Sequence, residues 1–134
     1  MRLVIDANII IAALIKNSTI RSLILQKQFE LLSPEFVLSE IHKHKQLIIR
    51  KSGLTSEEYT LVINTLFEAI TIVPKKTYQH LLLKASKELS DQKDVPFLAL
   101  ALATQSSIWS DDKGFFETKT VKTFTTRDIL EISA

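Results

Sequence analysis

Short apolar runs alternate along this chain with longer segments in which apolar residues recur at helical spacing. The short runs predict buried strands of a parallel sheet, because strands that are covered on both faces are apolar throughout. They lie at residues 3–5, 30–33, 71–73, 108–110 and 123–125. Strands and helices that alternate in this way predict one α/β domain over residues 1–134, with a parallel sheet of about five strands and helices on both faces.

Start and stop signals predict where the intervening helices begin and end. Ser18 is an N-cap for a helix to about residue 28, and Pro34 suits the first turn of a helix that runs to about residue 52. Gly53 ends that helix, and a capping-box pattern at Thr55 opens the next one, to about residue 69. Other helices are predicted at residues 8–15, 77–89 and 97–105, and a short last one is capped by Thr126.

Composition excludes several kinds of site. The chain has 134 residues but only two glycines, Gly53 and Gly114, so it lacks the glycine clusters of a P-loop or a GxGxxG turn. It has no cysteine, which excludes disulfides, thiolate metal sites and a cysteine nucleophile. The net charge of +2 is only mildly basic and does not by itself indicate a nucleic acid partner.

The apolar stretch at residues 3–15 resembles the core of a signal peptide in composition. Asp6 and Asn8 interrupt it, and it is shorter than the ~20 apolar residues that span a bilayer. We therefore expect a cytoplasmic protein with no membrane association.

Carboxylates stand where the predicted topology would bring them together. Asp6 follows the first strand, Asp111 and Asp112 follow the fourth, and Asp94 begins the most apolar helix. Ligands of open parallel sheets bind at the carboxyl ends of the strands. Each acid alone has a simpler explanation, as a helix cap or as part of a turn.

Glu40 is a less usual acid, because it lies beside an apolar stripe on its predicted helix. It is four residues from Phe36 and three from Val37, which are both expected to face the core. A carboxylate there needs a partner, since burying its charge is costly. A salt bridge to Lys43 or His44 on the next turn is the alternative to a functional role.

Acids that converge at one edge of a sheet need positive charge nearby. No Arg or Lys is obviously placed among Asp6, Glu40, Asp94 and Asp112, and an all-carboxylate set favours Mg²⁺ or Mn²⁺. Such a site is typical of phosphoryl chemistry, in which metal ions activate water and stabilise the leaving oxygen.

In these residues and their order, the chain resembles the PIN-domain family. The resemblance rests on LVIDANI at residues 3–9, Glu40 on a mid-chain helix, DVPFLALA at 94–101 and IWSDDKGF at 108–115. It covers nearly the whole chain, in the family's order. It implies a PIN-like, Rossmann-like nuclease domain that depends on metal ions, most such domains being ribonucleases. At this length, the resemblance is to VapC-like toxins of toxin–antitoxin modules.

The resemblance also implies roles for individual residues. It assigns Asp6, Glu40, Asp94 and Asp112 as catalytic residues that hold Mg²⁺ or Mn²⁺. Asp112 matches better than Asp111, which is an extra outer ligand or faces solvent, and the Asp-x-Pro context favours Asp94 over Asp91. Asn8 and Ser110 match positions that support a water or a phosphate oxygen, with helix or turn capping as the alternative.

The implied activity is an endoribonuclease that hydrolyses RNA phosphodiesters with a metal-activated water. The implied partners are RNA, an antitoxin protein and a second copy of the chain. Exposed apolar positions on the helices after Ser18 and Thr55 are candidates for the dimer interface. The alternative function is a catalytically silent PIN-like module that binds RNA or serves as a scaffold.

Two basic stretches without acids predict a path for the RNA backbone. The candidate RNA-binding residues are Lys43, Lys45, Arg50, Lys51, Lys75 and Lys76. Tyr78 and Phe115 are candidates for stacking on bases, with burial in the core as the alternative. Plain solvated helix faces are the alternative for the basic residues.

Enzymes with an aspartyl nucleophile fit the sequence poorly. Haloacid-dehalogenase-type enzymes need Asp-x-Asp after the first strand, and here Asn8 stands at the second position. Receiver domains need an early acidic pair, whereas this chain has a single early acid and a late pair, Asp111 and Asp112.

Overall fold

A parallel sheet forms the centre of the computed structural model, which describes residues 1–16 and 18–134. In that part of the chain the strands are Arg2–Ile5 (β1), Glu30–Pro34 (β2), Ile70–Val73 (β3), Ser107–Trp109 (β4) and Thr123–Phe124 (β5). Their order across the sheet is β3-β2-β1-β4-β5, and every neighbouring pair is parallel. The predicted five-stranded parallel α/β fold is confirmed.

Helices connect the strands in sequence order. They are Ala7–Ile15 (α1), Ser18–Leu25 (α2), Phe36–Lys43 (α3), Lys45–Ser52 (α4), Ser56–Glu68 (α5), Leu82–Ser86 (α6), Val95–Thr104 (α7) and Thr126–Ser133 (α8). Short 3₁₀ turns lie at Lys75–Thr77, Gln79–Leu81, Gln92–Asp94 and Lys113–Glu117.

The direction of the crossovers explains why helices cover both faces. From β1 the chain steps to β2 and β3 on one side, then returns across the sheet to β4 and β5 on the other. Because parallel crossovers are right-handed, this reversal puts the helices of the first half and those between β3 and β4 on opposite faces. The reversal between β1 and β4 also creates the switch point of the sheet.

The core explains why the central elements are so apolar. Leu3, Val4 and Ile5 of β1 are fully buried, and α7 packs against β1, β2 and β4. In α7 the run from Phe97 to Ala101 is buried throughout, so this part of the helix is apolar on every face. Because β1 and α7 are held in the core, the positions of Asp6, directly after β1, and Asp94, directly before α7, are fixed as well.

The long helix predicted over residues 34–52 is wrong, because the chain breaks at His44 into α3 and α4. His44 has φ −98° and ψ 5°, and its ring Nδ1 lies 2.8 Å from the carbonyl oxygen of Glu40. The ring nitrogen thus takes the acceptor that a helical N–H would use. Pro34 also differs from the prediction, since it ends β2 and pairs with Val73.

The helix predicted over residues 77–89 is also wrong in extent. Two 3₁₀ turns precede α6, which covers only Leu82–Ser86. Tyr78 ends the first turn and is 2% exposed, so burial of its ring favours tight turns over a continuous helix here.

Several predicted helix ends are confirmed and others shift by a few residues. Gly53 ends α4 with φ 73°, and the Thr55 capping box opens α5. Ser18 is the first residue of α2, not its cap, and α2 ends at Leu25, before Lys27 with φ 56°. Thr125, one residue earlier than predicted, caps α8.

Within residues 1–16 and 18–134, no single helix has the length and apolar character needed to cross a membrane. One bent pair, α1 with α2, meets the criterion by length and composition alone.

Candidate active site

A small acidic pocket lies at the switch point of the sheet. Asp6 directly follows β1, and Ser110 directly follows β4, its neighbour in the sheet. The backbone N–H of Asp6 continues the ladder by donating to the carbonyl oxygen of Trp109 at 3.0 Å. The side chains after these two strands are therefore held at one point, in a pocket of about 200 Å³.

The four acids of the predicted set line this one pocket. Its lining residues are Asp6, Ala7, Asn8, Glu40, His44, Asp91, Lys93, Asp94, Phe97 and Asp112. They come from β1–α1, the α3–α4 junction, the turn before α7 and the turn after β4. Acids from four separate segments of the sequence are thus brought together by the fold.

Ser110 joins two of these acids. It is fully buried, and its hydroxyl donates to Asp6 Oδ2 at 2.8 Å. Ser110 Oγ in turn accepts a hydrogen bond from the backbone N–H of Asp112 at 2.9 Å. The Oδ1 atom of Asp112 accepts from the N–H of Gly114 at 2.9 Å. This chain of hydrogen bonds orients the carboxylates of Asp6 and Asp112 relative to each other.

Asp6 and Asp94 stand at helix starts, yet neither caps its helix through the side chain. Asp91 does act as a cap, because its Oδ1 accepts from the N–H of Lys93 at 2.9 Å and opens the 3₁₀ turn before α7. The capping explanation therefore holds for Asp91, while the carboxylates of Asp6 and Asp94 face the pocket without a capping role.

Glu40 combines both explanations that the sequence leaves open. It is 7% exposed and lines the pocket, and its Oε1 lies 3.3 Å from Lys43 Nζ in a salt bridge. The Lys43 salt bridge that the sequence offers as an alternative is thus present, and a second cation, Lys93, also lines the pocket.

Burial and mutual repulsion disfavour negative charge on two of the acids. Burial, chiefly, and the nearby charge of Asp112 raise the pKa of Asp6 from 3.8 to about 6, although the Ser110 hydrogen bond opposes this. Burial again, then the charges of Asp6 and Asp112, raise the pKa of Asp94 from 3.8 to about 7. The pocket therefore favours a positive charge among these carboxylates.

Nearly the whole chain matches one family in the comparisons with known proteins. A family model described as a PIN domain matches residues 4–132, which is nearly the full length. The chain belongs to the PIN-domain family. Its members are generally nucleases, which places this protein in a nuclease superfamily. No curated protein matches the chain.

A row of aromatic rings underlies the acidic pocket of this PIN domain. Phe97 stands between Phe36 and Phe115, with ring centroids 6.3 and 6.4 Å away in edge-to-face contacts. Phe36 precedes Glu40 by one helical turn, Phe97 follows Asp94 by three residues, and Phe115 follows Asp112 by three. The packed row therefore positions the three segments that carry these acids.

Gly114 leaves space for two carboxylates of the PIN domain. A Cβ atom at this residue would lie 3.2 Å from Asp94 Oδ2 and 3.4 Å from Asp112 Oδ1. The other glycine, Gly53, has open space around it but a φ of 73°. The two glycines thus serve different purposes, close approach at Gly114 and a left-handed backbone at Gly53.

Asp111 lies outside the pocket and supports the fold instead. Its carboxylate accepts from the N–H of Thr126 at 2.7 Å and from the Thr126 hydroxyl at 2.6 Å. Trp109 Nε1 donates to the same hydroxyl at 3.1 Å, so the end of β4 is tied to the start of α8. These hydrogen bonds give Asp111 a structural role, and its part as a supporting site residue stays a prediction. Asn8, in contrast, is exposed and lines the pocket.

The predicted RNA-binding cations do not line the pocket. Lys43 approaches it through Glu40, and Lys45 lies over the ring of Tyr59 at 5.6 Å. The other four, which are Arg50, Lys51, Lys75 and Lys76, are exposed on α4 and after β3. Base stacking by Tyr78 and Phe115 is wrong, because the rings are 2% and 0% exposed.

Two pocket residues, His44 and Lys93, are absent from the predicted site, although the sequence analysis considers His44 as a salt-bridge partner of Glu40. His44 stands four residues after Glu40, and Lys93 directly precedes Asp94. Spacing on the helix was a usable signal for His44, since residues four apart share a helix face. Lys93 carried no comparable signal.

The donor set suits a hard divalent cation by its chemistry, since it consists of carboxylates. For two of them, Asp6 and Asp94, burial and neighbouring negative charge raise the pKa. In the part of the chain that the structure describes, however, no three His, Asp or Glu side chains are arranged to hold one ion. Like-charged carboxylates without a cation between them repel one another, and Glu40 forms its salt bridge with Lys43. Coordination would therefore require these side chains to converge within the pocket.

Proposed function

We propose that this PIN domain is an Mg²⁺- or Mn²⁺-dependent endoribonuclease that hydrolyses RNA phosphodiester bonds. The observation that carries the proposal is the pocket in which Asp6, Glu40, Asp94 and Asp112 meet at the switch point of the sheet. Neither Asp6 nor Asp94 has a capping role, and the raised pKa of each favours a cation beside it.

In this proposal the four carboxylates hold the ion, and they do not attack the substrate. When bound, Mg²⁺ or Mn²⁺ lowers the pKa of water and stabilises charge on the leaving oxygen. The residues around the acids keep them in place. Ser110 orients Asp6, the N–H of Gly114 orients Asp112, and the Phe97 ring supports the pocket from below. Asn8 stands at the open side, where its amide is available to a phosphate oxygen or a water.

Purified protein incubated with RNA and Mn²⁺ tests this proposal. We expect cleavage by the wild type and almost none by Asp6→Asn, which keeps the shape of the side chain but removes its charge. Glu40→Gln should fail similarly, whereas Glu57→Gln, an exposed acid on α5, should cleave normally. Equal cleavage by Asp6→Asn and wild type would refute the assignment.

The toxin role is a further part of the proposal. It rests on the resemblance to VapC-like toxins. That role would place the protein in the cytoplasm with its RNA substrate. Induced expression should arrest growth, and expression of Asp6→Asn should not. Arrest by both would contradict a role that depends on cleavage.

A homodimer and an antitoxin complete the proposed partners. Leu25 on α2 and Leu61 on α5 are exposed beside each other in one groove, with Leu61 70% exposed. These are the two helices on which the sequence predicts an interface. Light scattering of the purified chain should give a dimer mass, and Leu61→Glu should give the monomer mass. A wild-type monomer would contradict the dimer.

A catalytically silent RNA-binding or scaffold module is the second candidate. One observation that favours it is the salt bridge of Glu40 with Lys43. The other is that, among the described residues, no three His, Asp or Glu side chains are arranged to hold one metal ion. Calorimetric titration with Mn²⁺ separates the two functions. Absence of Mn²⁺ binding by the folded protein would favour the module over the nuclease.

A further inference from the structure

Two nitrogen-bearing side chains stand among the acids of the pocket. His44 reaches it from the junction of α3 and α4, and Lys93 reaches it from the 3₁₀ turn before α7. The other titratable groups that line the pocket are carboxylates. Of the basic residues predicted from sequence, Lys43 pairs with Glu40 and the others lie outside the pocket lining, so among the described residues His44 and Lys93 are the basic side chains that line the pocket itself.

The hydrogen bond of His44 determines which ring nitrogen remains available. Nδ1 lies 2.8 Å from the carbonyl oxygen of Glu40, and a carbonyl oxygen only accepts hydrogen bonds. Nδ1 must therefore carry a hydrogen and donate it. Among residues 1–16 and 18–134, no group of the chain hydrogen-bonds Nε2, so this atom is left for a ligand.

The break between α3 and α4 fixes the His44 ring in this position. The backbone N–H of His44 donates to the carbonyl oxygen of Ile41, and the ring Nδ1 of the same residue takes its place as the donor to the Glu40 carbonyl oxygen. Because the ring is part of the helix end, its orientation costs little further entropy when a ligand binds.

Lys93 is free to neutralise a ligand's charge. Its backbone N–H is used by Asp91, but its ammonium group makes no ion pair within the described residues. The side chain is exposed, and it adjoins Asp94 at the pocket. A lysine at such a site is well suited to contact a phosphate.

We propose that His44 and Lys93 bind the sugar–phosphate backbone of the RNA strand where it enters the acidic pocket. With its hydrogen on Nδ1, His44 accepts a hydrogen bond at Nε2 from a ribose hydroxyl, and the Lys93 ammonium pairs with a phosphate. This inference rests on the proposed nuclease function and adds the substrate contacts that the carboxylates themselves cannot make, since they repel phosphate.

The test compares two variants with matched controls. His44→Asn keeps a donor for the Glu40 carbonyl but removes Nε2, and Lys93→Gln removes the ammonium charge. His42→Asn and Lys87→Gln make the same changes at exposed positions outside the pocket. Fluorescence anisotropy measures binding of a short single-stranded RNA to Ca²⁺-loaded protein, under conditions first checked for absence of cleavage.

We expect Lys93→Gln to raise the dissociation constant for RNA about tenfold, the size of one hydrogen bond to a charged group, and His44→Asn to raise it about fivefold, the size of one neutral hydrogen bond. Lys93→Gln should also reduce the slope of log K against log salt by about 0.7, the value for one phosphate contact on a single strand. Mn²⁺ affinity by calorimetry and the melting temperature in EDTA should match wild type, and both controls should bind normally.

Wild-type RNA affinity in both pocket variants would overturn the inference. A loss of Mn²⁺ affinity as large as the loss of RNA affinity would also overturn it, because the residues would then act through the acids. If the wild type itself neither binds nor cleaves RNA while folded, the proposed function fails, and this inference fails with it.

Discussion

Gly114→Ala places one methyl group against the acidic pocket. The added Cβ would lie 3.2 Å from Asp94 Oδ2 and 3.4 Å from Asp112 Oδ1, so the Asp94 carboxylate must move by a few tenths of an ångström. The backbone of Gly114 does not have a positive φ and accepts alanine. The substitution therefore perturbs the geometry of the acids and leaves the chain conformation alone.

The size of the effect follows from the cost of overpacking. Inserting a methyl group into packed surroundings costs about 1–3 kcal/mol. If that cost falls on the metal-bound state, in which the carboxylates must converge, the affinity for Mn²⁺ falls by roughly five- to 150-fold. Isothermal titration calorimetry measures this directly, and urea unfolding in EDTA reports the stability of the metal-free fold.

Gly53→Ala is the matched control, because it adds the same methyl group at the other glycine. No atom lies within 4 Å of its added Cβ, but its φ of 73° strains any residue other than glycine. We expect a loss of about 1–2 kcal/mol in unfolding free energy with Mn²⁺ affinity unchanged. Wild-type Mn²⁺ affinity in Gly114→Ala, or an equal loss in Gly53→Ala, would refute the reasoning.

Three other predictions concern pH, metal binding and the anchoring of α8. In EDTA, native Asp6 and Asp94 keep protons that the unfolded chain releases between about pH 4 and 7, because burial raises their pKa values to about 6 and about 7. The free energy of unfolding should therefore fall as pH rises through this window, by up to about 3 kcal/mol from Asp6. Urea unfolding of Asp6→Asn should give a flatter profile, and a wild-type profile that rises with pH would contradict the assignment. Mn²⁺ at 100 times its dissociation constant should raise the wild-type unfolding free energy at pH 7.5 by about 2.7 kcal/mol, and Glu40→Gln at the same Mn²⁺ concentration should lose much of this gain. An equal gain in both proteins would exclude Glu40 from the metal site. Asp111→Asn should lower the unfolding free energy by about 1 kcal/mol through its bonds to Thr126, with Mn²⁺ affinity unchanged by calorimetry. A loss of Mn²⁺ affinity in that variant would show that Asp111 acts at the pocket.

The sheet and the meeting of the acids were predictable because they depend on periodic patterns and topology. Apolar runs such as residues 3–5 predict buried strands, and parallel strands bring the residues that follow them to one edge of the sheet. The sequence alone therefore predicts that Asp6 and Asp112 lie near each other. Glu40 could be singled out because it stands beside the apolar stripe of its helix.

The parts that sequence could not show depend on individual side-chain contacts. The break at His44 follows from one ring nitrogen that bonds the Glu40 carbonyl, and a regular helical pattern runs through that position. Asp111 and Asp112 are adjacent and chemically identical, and only the turn after β4 sends one to Thr126 and the other to the pocket. Tyr78 is buried by packing that overrides the helical period around it.

The aromatic row has a consequence for how the pocket is gained and lost. Phe36, Phe97 and Phe115 come from three distant parts of the chain and meet only when the sheet and α7 are assembled. The four acids Asp6, Glu40, Asp94 and Asp112 come from four separate segments, so no local segment carries two of this set. The pocket therefore belongs to the cooperative unit of the whole domain: unfolding of the domain removes the pocket as a whole, and a cation that bound there would report on global folding in an all-or-none manner.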